Sequence, residues 1–227
     1  MLRFKGIDIE RCVIVDDDAL IRKTMLSPVE DLDVEPVMQE EPLPNTVALA
    51  AEMLRTKGQA LVSDHHLQKK GQYAVFNGAG LVAECTARKF PAVLCTRWSR
   101  TEELLEIRRY RHLIPVLLPG VVDDPDSLHR AFEIVVDEIL HGRILPIRRR
   151  RRTLLAIEEC RPETNPKQVT VKIYGWDINK FIDIELEALP HSVREEFLRG
   201  PKRYLGAHVN LDAELVEDLA FDQWEIR

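Results

Sequence analysis

Short runs of consecutive apolar residues alternate with helix-period segments through the first 142 residues, the pattern of a parallel sheet covered by helices on both faces. Cys12 to Val15 predicts a first strand that ends in Asp16-Asp17-Asp18, and Ala19 to Leu26 predicts a helix stopped before Pro28. Asp33 to Met38 reads as a second strand. Asn45 is placed to cap a helix from Thr46 to Thr56, with Gly58 after its end. Ala60 to Val62 is a third strand running into Ser63-Asp64. Gly78 to Arg88 reads as a helix, Ala92 to Cys95 as the fourth strand, Thr101 to Arg109 as a charged helix and Ile114 to Leu117 as the fifth strand. The last helix, Asp126 to Leu140, sets Leu128, Phe132, Val135, Val136 and Ile139 on one stripe.

After Gly142 the pattern changes. Residues 143–152 contain no acid and end in five consecutive arginines, Arg148 to Arg152. Beyond them Val169 to Tyr174 alternates as a strand, Ile178 to Glu187 fits strand or helix, Ser192 to Leu198 reads as a helix capped by Ser192, and Gly206 to Leu211 as another strand. The tail from Asp212 is acidic, with Phe221 and Trp224 as aromatic punctuation. The expected organisation is a flavodoxin-like α/β domain over 1–142, an arginine-rich linker over 143–165, and a small α+β interaction module over 166–227.

Composition narrows the classes. With 45% hydrophobic and 31% charged residues the chain has enough apolar material for packed cores. A formal charge of −6 argues against a surface that binds nucleic acid throughout. The stretch from Leu113 to Val122 holds Pro115, Pro119 and Gly120 and is far shorter than the roughly 20 residues of a membrane helix. No apolar signal segment follows Met1, so a cytoplasmic address is expected. Cys12, Cys85, Cys95 and Cys160 form no C-x-x-C pair, as suits structural thiols in a reducing compartment.

In an open parallel sheet the loops at the carboxyl ends of the strands converge on one crevice. Here that gathers Asp16 and Asp17, Asp64, Thr96 and Leu118. Carboxylates brought together repel one another, and a hard cation with oxygen ligands such as Mg²⁺ relieves them. Residues 10–142, about three fifths of the chain, resemble the receiver domain of bacterial two-component response regulators on these positions. The resemblance implies that Asp16, Asp17 and Asp64 bind Mg²⁺ with the backbone carbonyl of His66, that Asp64 accepts a phosphoryl group from a histidine kinase, and that the Thr96 hydroxyl contacts it. It also implies a non-enzymatic signalling role. One position departs from the family: Leu118-Pro119 stands where receivers carry Lys-Pro, so the cation that pairs with the phosphoryl group is missing. Ile114-Pro115-Val116 likewise lacks the family's aromatic switch residue. An atypical or pseudo-receiver is the expected outcome, with Arg97 as a candidate substitute cation.

The same chain offers residues for other chemistries. Asp16-Asp17-Asp18 also suits a helix cap, and Asp64 a turn. His65 and His66 invite a transition metal but lack a third ligand at helical spacing. Gly78-Ala79-Gly80-Leu81-Val82-Ala83 fits the dinucleotide fingerprint, yet no acid for the ribose follows the next strand. Cys95 beside Thr96 is the only candidate for a reactive thiol. Arg148 to Arg152 suits phosphates, anionic lipid or an acidic protein surface. The leading expectation is a signalling protein that acts on protein partners, a histidine kinase or an effector, through its C-terminal module, with a homodimer left open. A DNA-binding regulator using the arginines is the alternative, and a dinucleotide-dependent enzyme a third.

Overall fold

The computed structural model describes residues 1–45, 57–68, 73–96, 101–120, 122–161, 163–165, 167–199 and 203–226. The helix expected over 46–56 and the candidate cation Arg97 lie outside them. The chain divides into two compact units, Met1–Ser99 with Leu113–Arg143, and Arg100–His112 with Ile144–Arg227. No described helix is long and apolar enough to cross a membrane.

The first unit opens with a hairpin, β1 (Leu2–Phe4) and β2 (Ile7–Ile9), that the sequence reading did not anticipate. Strands this short carry no periodicity. Gly6, at φ 99°, makes the turn, and Leu2 and Ile9 join the core. Five parallel strands follow: β3 (Arg11–Val15), β4 (Glu35–Met38), β5 (Ala60–Asp64), β6 (Ala92–Thr96) and β7 (Leu117–Pro119). Their spatial order is β4-β3-β5-β6-β7, the flavodoxin-like doubly wound arrangement. Cys12 to Val15, Ala60 to Val62 and Ala92 to Cys95 are fully buried, which explains continuous apolar runs in place of alternation.

Helix α1 (Ala19–Thr24) is followed at once by α2 (Leu26–Glu30), and Pro28 lies inside α2 rather than ending a longer helix. A proline in the first turn removes only an N–H that has no intrahelical acceptor. Helices α3 (Gly78–Ala87) and α4 (Thr101–Tyr110) come next. The fifth strand begins at Leu117 and not at Ile114, because Pro115 cannot donate to the ladder and Leu94 pairs with Leu117. Helix α5 (Pro125–His141) is capped by Asp124 and stopped by Gly142 at φ 64°, and its predicted stripe is buried at Leu128, Phe132, Val135 and Val136.

The second unit is an antiparallel sheet of order β10-β9-β8-β11-β12. Its strands are β8 (Arg151–Arg161), β9 (Gln168–Ile173), β10 (Ile182–Glu185), β11 (Tyr204–Val209) and β12 (Phe221–Ile226), with α6 (His191–Leu198) after β10. Segment 143–165 is therefore no linker: Arg151–Arg161 within it is the central strand. The acidic tail carries an edge strand, and α6 starts at His191 with Pro190 as its cap and no side-chain cap bond from Ser192. Helix α4 belongs to this unit although it lies between β6 and β7 in the chain. Arg108 donates to the Asp183 carbonyl, and Arg111 pairs with Asp218 at 2.8 Å.

Leu105 on α4, 2% exposed, lines a small cavity with Ile184, Phe221 and Trp224. Leu105→Ala is expected to cost about 2–4 kcal/mol. Hydrogen exchange should quicken first in β10 and β12; equal loosening of β3 and β5 would show that α4 serves the other unit.

Candidate acid site at the strand ends

Register brings the site together. Val15 pairs with Ser63 and Asp64 with Cys95, so the residues that follow β3 and those that end β5 and β6 share one rim of the sheet. Thr96 is in turn opposite Pro119.

The three consecutive acids divide their work. Asp18 caps α1, its side chain accepting the Leu20 N–H at 2.9 Å. Asp16 is 3% exposed; its Oδ1 accepts the Asp18 N–H at 2.7 Å and its carbonyl accepts from the buried Arg22 guanidinium. Burial pushes its carboxyl from 3.8 to about 7, the Asp18 N–H offsets part of this, and the charges of Asp64, Asp17 and Asp18 push it further up. Asp17 is half-buried. Asp64 is raised by burial first, offset by the N–H of His66, which its Oδ2 accepts at 2.8 Å, and by the neighbouring histidine rings. Asp16 and Asp64 are thus electrostatic neighbours, each also engaged in the local turn that the plainer reading foresaw.

Thr96 is completely buried, and its hydroxyl has no hydrogen-bond partner among the described residues. Its carbonyl accepts the Gly120 N–H at 2.7 Å. Leu118, opposite Cys95 in β7, packs its side chain against the apolar core, so this position offers the acids no charge.

A carboxylate rim supplies the oxygen donors that Mg²⁺ prefers. Among the described residues, however, no three Asp, Glu, His or Cys side chains are arranged around a common ion. The expected set of Asp16, Asp17 and Asp64 is therefore no three-carboxylate cage, and Asp18's cap and the Asp16 turn direct oxygens to the backbone instead. The same holds for His65 and His66, whose rings lie 5.2 Å apart.

The dinucleotide reading of Gly78 to Ala83 has a different explanation. A Cβ at Gly78 would stand 1.8 Å from the Asp64 carbonyl oxygen, and the Gly78 N–H donates to the His65 carbonyl at 2.9 Å. Helix α3 starts against the end of β5, and the glycine allows that approach. Before it, Ala74 makes only an isolated bridge to Leu43, not the strand the fingerprint requires. Cys95 is fully buried and its thiol is pushed well above the ordinary range by that burial, so it is not a nucleophile; Cys160 is the one exposed cysteine.

Three residues were missed by sequence reasoning. Arg22, 7% exposed, lies 5.3 Å from the Tyr73 ring centroid, and the Tyr73 hydroxyl donates to the Gln39 carbonyl at 2.7 Å. Tyr73 is raised by burial and by Asp16 and Asp17, against the Arg22 charge. Arg22 follows the helical face of α1, a signal that was present; the partner loop carried none.

Three arginines of the run meet acids of their own unit, while Arg149 is exposed. Arg150 pairs with Asp222 at 2.6 Å, Arg151 with Asp212 at 2.9 Å and Arg152 with Glu225 at 2.6 Å, while Arg148 is buried beside the His112 carbonyl.

No protein-family model matches the chain, and no curated protein does. Solved structures do resemble it over the first unit. A response regulator receiver domain protein from Clostridium thermocellum is 10% identical and matches 57% of this chain and 96% of its own, with a TM-score of 0.43. A CheY-like receiver domain protein from Methanospirillum hungatei is 15% identical over 60% of this chain and 100% of its own, with a TM-score of 0.43. A sensor protein from a Polaromonas species is 17% identical over 57% and 97%, again with a TM-score of 0.43.

A carboxyl whose folded-state value lies above its unfolded one withdraws stability as pH rises between the two, here from 3.8 to about 7. Asp16→Asn keeps the acceptor for the Asp18 N–H and removes the buried charge. It should match wild type near about pH 4 and exceed it near about pH 8 by on the order of 2–4 kcal/mol, at about 1.4 kcal/mol per pKa unit. Urea melts across this range decide it; a constant difference would place the Asp16 carboxyl in water. Gly78→Ala should cost about 3 kcal/mol or more, because its Cβ meets backbone and not a side chain that can turn away.

Proposed function

We propose that the first unit is a receiver-like signalling domain of the atypical kind, without the switch lysine, and that the protein acts by binding protein partners rather than by turnover. The observation that carries this reading is the pair of carboxyls, buried Asp16 and half-buried Asp64, at adjacent ends of parallel strands, with the buried Thr96 ending the next strand and Leu118 where a cation would complete the site. Asp64 is the acceptor position. When bound, Mg²⁺ would neutralise the acids; Asp16, Asp64 and the His66 carbonyl would hold it.

Phosphoryl transfer to a carboxylate depends on neutralising the equatorial oxygens. With an apolar side chain at 118, an aspartyl phosphate at Asp64 lacks a charge-assisted contact worth roughly 1.5–3 kcal/mol. The acid site then serves to shape a docking surface for a kinase or an effector. Regulation of a partner through the C-terminal unit is part of the same proposal. A DNA-binding regulator is the weaker reading, because three of the five arginines it needs are matched with acids of the same unit.

Acetyl phosphate with Mg²⁺, followed by intact mass, tests this directly. Wild type is expected to stay unmodified, Leu118→Lys to gain one phosphoryl group with release of acetate, and Leu118→Lys with Asp64→Asn to lose it. Stoichiometric modification of wild type at Asp64 would make the protein an ordinary receiver. A Leu118→Lys protein that stays unmodified would remove the receiver reading of the site.

A further inference from the structure

The two edges of the second unit's sheet meet the same helix. Strands β10 and β12 lie at opposite ends of the order β10-β9-β8-β11-β12, yet Ile184 and Glu185 of one and Phe221 and Trp224 of the other line one small cavity, which Leu105 and Arg108 of α4 complete. The sheet therefore curls until its edges face each other, as a strongly twisted five-stranded sheet does. α4 sits in the seam between them. Leu105 and Ile107 are 2% and 1% exposed, Arg108 donates to the Asp183 carbonyl, and Arg111, just beyond the helix, pairs with Asp218 at 2.8 Å. The seam is thus a groove that already holds an amphipathic helix.

Cover for a sheet edge explains a helix in this place, but not this helix. α4 is the crossover between β6 and β7, adjacent parallel strands of the first unit. Such a crossover normally lays its helix on its own sheet. The dimensions suit that seat: the ten residues of α4 span about 15 Å and the five residues of β6 about 16 Å. α4 therefore has a second place to lie, and its fit in the seam is imperfect in two ways. The cavity beside Leu105 leaves apolar surface without contact. The Glu185 carboxyl is raised above its ordinary value by burial first and then by Glu106 of α4, with Arg109 pulling the other way. A helix with a larger apolar side chain at the Leu105 position and a cation at the Glu106 position relieves both. We propose that the seam is a helix-binding groove for a protein partner, held shut in cis by α4 and opened by an amphipathic helix that carries those two features. The inference deepens the partner-binding role proposed for this unit and rests on that role alone, not on the acid site.

Fluorescence anisotropy of a labelled peptide tests the proposal on the full chain. The probe is residues 100–112 with Leu105→Phe and Glu106→Lys, and the same segment unchanged is its reference. The substituted peptide is expected to bind tighter than the reference. It should bind full-chain Leu105→Asp, whose own α4 is weakened, about tenfold or more tighter than wild type, because a cis occupant lowers apparent affinity by the fraction of time it fills the groove. Where Leu105→Asp loses its sheet by circular dichroism, Glu106→Gly replaces it: this exposed position does not line the cavity, and glycine loosens the helix without altering the groove. In wild type saturated with the peptide, hydrogen exchange of Thr101–Tyr110 should quicken while β10 and β12 stay protected. A peptide that binds neither folded variant, or that binds while α4 keeps its protection, overturns the groove. Equal binding of the two peptides overturns the partner chemistry. Dimerisation of a variant without peptide, with α4 exchanged between copies, would make a second copy the occupant and also overturns the proposal. The mass test at Asp64 is independent of these outcomes, so a groove that fails beside an active acid site, or the reverse, separates the two readings.

Discussion

Two carboxyl groups at the ends of neighbouring, fully buried strands are the constraint around which the first unit is organised. The parallel sheet takes β3 and β5 out of water on both faces, so Asp16 and Asp64 emerge into a poorly solvated rim. Both are raised above the ordinary carboxylate range, and the groups that steady them are backbone N–H donors two residues on, from Asp18 and His66. Those bonds fix the turns after the strands. Gly78 then lets α3 start against the Asp64 carbonyl, which a side chain would forbid. The position that would supply a fixed positive charge is instead apolar and belongs to the core, at Leu118.

The second unit uses charge in the opposite way. Arginines that look like a nucleic-acid handle in the linear chain are distributed by the strand alternation of β8 and meet Asp212, Asp222 and Glu225, which the acidic tail brings back beside them. Partly exposed pairs of this kind add little stability one by one. Their consequence is to offset three of the five charges of the run. The unit is also discontinuous: α4 and the turn after it, reached between two strands of the first unit, contribute Leu105 together with the Arg108 and Arg111 contacts.

Much of this could be read from particular residues. The undivided apolar runs at Cys12 to Val15 and Ala92 to Cys95, each ending in a polar residue, placed Asp16 and Thr96 at strand ends. The stripe of Leu128, Phe132, Val135 and Val136 marked α5, while its Asp124 cap and Gly142 stop emerged only in the structure. Pro115 and Pro28 misled in opposite directions: one delayed a strand by removing a donor, the other sat harmlessly where no donor was needed. The hairpin at Leu2 to Ile9 was too short to show a period. Arg22, Tyr73 and Gln39 escaped notice because their meeting depends on a loop whose path no local pattern encodes.

What the sequence alone determined is local: the buried strands and most helices of the first unit, some of the residues that end them, and that position 118 lacks a lysine. These follow from side-chain period, capping and proline chemistry within a few residues. Only the tertiary structure decided that Asp16 is the buried acid and Asp18 the cap, that Gly78 answers to the Asp64 carbonyl, that α4 serves the second unit, and that three of the five arginines are matched. Each of these depends on burial or on contact between residues distant in the chain, and desolvation and charge pairing are set by surroundings that no single segment contains.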